Sequence, residues 1–92
     1  MNLSQVLPQL AQLTAQSLRA DEAIEGVKPT PALFTEAFHY ALHTQGVENV
    51  TGLEGLVRHN LARQDRDLYR QIWPEVQMDA NGNYTTDSTL WV

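Results

Sequence analysis

The chain has no cysteine, and its 92 residues include only four prolines, five glycines and two tryptophans. Without thiols, neither a disulfide nor a thiolate metal site can reinforce the fold. A thiol-free chain is also indifferent to redox compartment, so a cytoplasmic location is compatible with it and is the expectation adopted. Long apolar runs are missing too. None approaches the roughly 20 residues a bilayer crossing needs, and no basic segment precedes an apolar core at the N-terminus, so neither a membrane span nor a targeting segment is expected. Positive charge is scarce. Six Lys and Arg against eleven Asp and Glu give a formal charge of -5, which opposes general attraction to nucleic acid or anionic lipid.

Catalytic signatures are equally sparse. There is no Gly-x-Ser-x-Gly elbow, no His-Glu-x-x-His and no glycine-rich phosphate loop. Glu36 and His39 could form an acid–base pair, but on a helix face expected to be solvated nothing would shift their pKa values. Neither an enzyme nor a cofactor is expected. Glu36, His39 and His43 share one face at i, i+3 and i+7, yet that span is about 10 Å at 1.5 Å per residue, too long to converge on one ion. They read as exposed residues, and no metal is expected. Asp79-Ala80-Asn81-Gly82-Asn83 with Asp87 is oxygen-rich like a calcium loop, but Tyr84 and Leu90 stand where an EF-hand needs glycine and glutamate.

What the chain does have is helical periodicity. A length of 92 residues is one domain, burying only roughly 60 to 65% of the surface its unfolded chain exposes. Helix packing or self-association must supplement so small a core, and a homodimer is the expectation that follows. Leu3, Val6, Leu7, Leu10, Leu13 and Leu18 recur at helical spacing over residues 3–25, with glutamines on much of the other side. Pro8 is tolerated only in a first turn, so the spacing predicts either a start near Leu7 or a separate preceding turn. Gly26 fits the stop, and Val27-Lys28-Pro29 reads as extended.

Thr30 and Pro31 fit the N-cap and first position of a second helix over 31–45, with Gly46 just past its end. Phe34, Ala37, Phe38, Ala41 and Leu42 make its buried face, with Tyr40 at the border. The short connection from Val47 to Val50 predicts that the second and third helices pack as a hairpin.

The third helix is expected over 52–73. Thr51-Gly-Leu-Glu54 reads as a capping box and Pro74 as a stop. Leu53, Val57, Leu61, Gln64, Leu68 and Ile72 share one side at about 100° per residue, while His59, Arg63, Arg66 and Arg70 form a second stripe. Four of the chain's six basic residues, counting Arg58, fall in this stretch. With Trp73 near its end, the stripe could clamp phosphates or an acidic partner through paired hydrogen bonds, although Asp65 and Asp67 interleave and neutralise part of the field. A DNA-reading helix-turn-helix fits poorly, because Gly52, Leu53, Gly55 and Leu56 leave the leading end almost empty of base-reading groups.

After Pro74 the period changes. Val76 and Met78 alternate with polar residues, Asn81-Gly82 suits a type I′ turn, and Tyr84-Thr85-Thr86 favours strand, which predicts a short C-terminal β-hairpin over about 75–90. Leu90-Trp91-Val92 is apolar, and Trp91 is expected to be partly buried or to dock against another chain. The fold class expected is therefore mainly α: a small three-helix domain with a short C-terminal β-hairpin. Its expected core is Leu7, Leu10, Leu13, Phe34, Phe38, Leu42, Val57, Leu61, Leu68 and Ile72.

The function expected is that of a small acidic, non-enzymatic protein-interaction module: a regulator, inhibitor or assembly factor of bacterial or phage type. His59, Arg63, Arg66, Arg70, Trp73 and Trp91 are the candidate partner-binding residues. The alternative is a dimeric nucleic-acid-binding regulator using the arginine stripe.

Overall fold

The computed structural model describes residues 3–75. They form four helices: α1 (Leu3–Glu25), α2 (Pro31–Gln45), α3 (Leu53–Gln64) and α4 (Arg66–Ile72). The fold is mainly helical, with no strand among the described residues. The expected hairpin and Trp91 lie outside them.

Helix α1 runs straight through Pro8, so neither the later start nor the separate turn is realised. The ring crowds the carbonyl four residues back, that of Ser4, which lies in the first turn, where little of the hydrogen-bond ladder depends on it. Leu10, Ala11, Thr14 and Leu18 are fully buried, and Val6, Leu7, Leu13 and Ala15 pack partly against them. Thr14 is polar in an apolar seam. Its hydroxyl donates to the Leu10 carbonyl at 2.7 Å, which removes the cost of burying it unpaired.

Helix α2 forms as its local signals dictate. The Thr30 hydroxyl accepts the Leu33 N–H at 3.2 Å, Pro31 opens the helix, and Gly46 closes it in the left-handed region at φ 65°. Phe34, Ala37, Phe38, Ala41 and Leu42 are all buried, while Glu36, His39, Tyr40 and His43 are exposed.

The stretch expected as one third helix departs from the reading at both its start and its middle. Thr51 does not cap α3. Gly52 takes that place at φ 86°, with no side-chain bond, and the Glu54 carboxylate instead accepts the Thr35 hydroxyl of α2 at 2.7 Å. The capping box is thus replaced by a tie between helices. Farther on, Asp65 (φ -142°, ψ 76°) ends α3 and begins α4.

The break has an identifiable cause. On one continuous helix Asp65 would sit about 40° round from Leu61, inside the arc that holds Leu68, Tyr69 and Ile72. A carboxylate there would be desolvated among leucines, at a cost of several kcal/mol. Leaving the helix lets it accept the Leu68 N–H at 3.2 Å as the cap of α4. The same carboxylate takes both arms of Arg19 from α1, with Nε at 2.8 Å and Nη2 at 2.6 Å.

The turn folds α4 back on the start of α3. Along an unbroken helix residues 58 and 73 would stand about 22 Å apart; here the Arg58 guanidinium lies 3.9 Å from the centre of the Trp73 ring. The expected α2–α3 hairpin is not what holds the structure. Helix α1 packs against both α2 and α3, and those two touch each other only sparsely. Leu7 and Leu13 prove half-buried rather than central, and Leu53, Tyr69 and Trp73 join the core.

Candidate partner-binding surface

The residues expected to form one line on one helix are divided by the corner at Asp65. Arg63 lies at the end of α3, Arg66 and Arg70 on α4, and all three are exposed. His59 is half-buried. The 100° phase that aligned the four side chains does not run through residue 65, so they are not a continuous stripe.

Trp73 is a correction of substance. It is buried, 7% exposed, as the residue that closes α4. Its ring meets Phe34 edge-on with centres 5.0 Å apart and Tyr69 at 4.8 Å. An indole packed against two aromatic rings is a core element, worth most where it excludes water. Arg58 belongs with it: besides covering the Trp73 ring, its Nε donates to the Tyr69 hydroxyl at 3.2 Å. One of the four arginines is therefore structural, a cation on an indole face supplying a hydrogen bond to a buried phenol.

The remaining charges sort in an unexpected way. Asp65 and Asp67, which the sequence suggested would neutralise the arginines beside them, both act on Arg19 of α1. The hydrogen bonds from Arg19 hold the Asp65 carboxyl below its ordinary pKa, and the same bonds raise that of Arg19. Arg19 and Asp65 form an ion pair at 2.6 Å, whereas Arg63 and Arg70 stand exposed. The result is three exposed arginines on either side of the corner, with the carboxylate of Asp65 between them bonded to Arg19.

A cleft of about 440 Å³ lies between the leading ends of α2 and α3. Phe34 and Trp73 line its apolar side, Thr35, Glu54 and Arg58 its polar side, and Gly52 and Gly55 leave bare backbone at the rim. Its two charged groups are both engaged, Glu54 with Thr35 and Arg58 with the aromatic rings. No group of three potential ligands that could hold a metal ion occurs among the described residues, and Glu36, His39 and His43 are exposed along α2. No described helix is long and apolar enough to cross a membrane.

Arg19 and Tyr69 are the residues sequence reading missed. The phase of Asp65 on the leucine stripe was a visible signal against a continuous helix. The identity of its partner was not, since Arg19 is 46 residues away. Compared with protein-family models, curated proteins and solved structures, the chain matches none.

Proposed function

We propose that the protein is a small non-enzymatic interaction module that binds an acidic protein surface through Arg63, Arg66 and Arg70. One observation carries the reading: the arginines face outward on either side of a corner whose carboxylate is withdrawn by Arg19. An outward guanidinium can form paired hydrogen bonds with a partner's carboxylates. Arginine is also enriched where interfaces concentrate their energy. Trp73, being buried, is left out of this surface, and His59 is half-buried.

A formal charge of -5 favours an interaction with a local acidic patch over a polyanion, because the whole-molecule field repels a phosphate backbone. The test is affinity capture from the source cell with the wild type and with the Arg63→Glu, Arg66→Glu, Arg70→Glu triple variant, alongside titration of both with duplex DNA. The expected result is a partner protein lost by the variant, an unchanged helical circular dichroism signal, and no more than weak, salt-sensitive DNA binding. Equal recovery by both proteins would remove the arginine face from the function. Submicromolar, sequence-selective DNA binding at physiological salt would replace this reading with that of a nucleic-acid-binding regulator.

A further inference from the structure

The corner between α3 and α4 consists of a single residue, Asp65. On both sides of it the sequence is phased for one helix: at 100° per residue Leu61, Ala62, Leu68, Tyr69 and Ile72 share an arc of about 120° counted as though residue 65 were helical. All five are buried in the folded chain. The phasing of the apolar residues therefore favours continuity everywhere except at Asp65, whose carboxylate falls inside that arc, while the tertiary contacts of α4 favour the fold-back. Those contacts are the Trp73 ring on Phe34, the Arg58 guanidinium on Trp73 and the Arg58 bond to Tyr69.

Both preferences are met at once if the contacts are made with another chain. A second copy offers the same Phe34 and Arg58, so α4 from one protomer can fill the place of α4 in its partner while residues 53–72 run as one helix. A joint of one residue, with helix-forming sequence on both sides, is the kind of hinge that permits such exchange. The cost of opening it is the loss of the Asp65 cap on Leu68 and of the two bonds from Arg19, together with placing the Asp65 carboxylate on the apolar side of the continuous helix. We propose that α4 is an exchangeable arm, that a second copy of this chain is its alternative partner, and that the Arg19–Asp65 pair is the latch that keeps the arm on its own chain. The pair is half in water, with the Arg19 side chain 47% exposed, so salt weakens the latch without disturbing the apolar contacts of α4.

The test is the oligomeric state of Asp65→Leu, which removes the latch and places an apolar side chain where the stripe has a gap. Light scattering should show a doubled mass. Mixing chains carrying different isotope labels should give nuclear Overhauser contacts between Arg58 of one chain and Trp73 of the other. A Gly-Ser-Gly insertion after residue 65 in the same variant should restore the monomer, because a longer hinge lets the arm fold back. A folded monomeric Asp65→Leu, or a dimer that survives the insertion, would overturn the proposal. Should Asp65→Leu fail to fold, Arg19→Gln provides the decision. Its dimer fraction after refolding at high concentration must exceed that of the wild type, and equality counts against the latch. Because the readout is self-association, it is independent of whether the arginine face binds an acidic partner.

Discussion

Helix α2 begins and ends on contacts made by its own flanking residues, whereas the α3–α4 corner is set by an arginine 46 residues away. Thr30, Pro31 and Gly46 each act within a few residues of the positions they define, and the chain around them needs no distant partner to read them. Asp65 also caps the helix that follows it, through Leu68. Its carboxylate is nonetheless anchored by α1, and the helix it caps is held by Phe34 of α2 and Arg58 of α3. The comparison separates two kinds of boundary. One is carried by the local sequence, and the other exists only once the remaining helices are in place.

Five substitutions and one change of pH sharpen or break that contrast, from the largest effect to the smallest. Trp73→Ala should destabilise by about 3–5 kcal/mol, as expected for truncating a buried aromatic residue, because it removes the contact that holds the corner shut. Denaturant unfolding checks this, and a loss under about 1 kcal/mol would place Trp73 on a surface after all. Leu61→Ala, on the α3 side of the corner, should cost about 2–5 kcal/mol; a shift of only a degree or two in melting temperature would show the wrong face was taken as buried.

Thr30→Ala and Asp65→Ala form a matched pair. Each removes an N-cap worth about 0.5–2 kcal/mol, but Asp65 also loses its pair with Arg19. Asp65→Ala should therefore cost more, and only its cost should shrink in high salt. Equal costs with equal salt dependence would mean the corner is as local as the α2 cap.

The pH effect is smaller. Because Arg19 holds the folded-state pKa of Asp65 below its unfolded value, the stability from this group is fully present above about pH 4, the ordinary carboxylate value. It is lost as pH falls through the folded-state pKa. Replacing Arg19 with Gln, which keeps a hydrogen-bonding side chain but no charge, should flatten that acid limb. At neutral pH the change should be below about 1 kcal/mol, since the Arg19 side chain is about half in water.

How far the sequence could be read follows the same division. The C-terminal end of α1, both ends of α2 and the buried face of α2 were legible because spacing and caps are properties of short segments, whereas Pro8 misled at the start of α1. The start of α3 was misread because Thr51 and Glu54 have capping-box spacing, yet Gly52 takes the left-handed conformation and Glu54 bonds α2. The arginines were legible as exposed. Their alignment was not, since it assumed a helix that Asp65 interrupts. Trp73 looked like an interface residue because it followed a charged helix, and only the fold-back of α4 shows that it is enclosed. Tyr69 was passed over for a related reason: its burial depends on Arg58 meeting its hydroxyl, a contact across the corner.

The account rests most heavily on that corner, and a backbone assignment of the dilute monomer by nuclear magnetic resonance tests it most directly. The predicted result is helical chemical shifts over residues 53–64 and 66–72, interrupted at Asp65, with Overhauser contacts from the Arg58 side chain to the Trp73 ring within one chain. Uninterrupted helical shifts from 53 to 72, with no contact between Arg58 and Trp73, would contradict it.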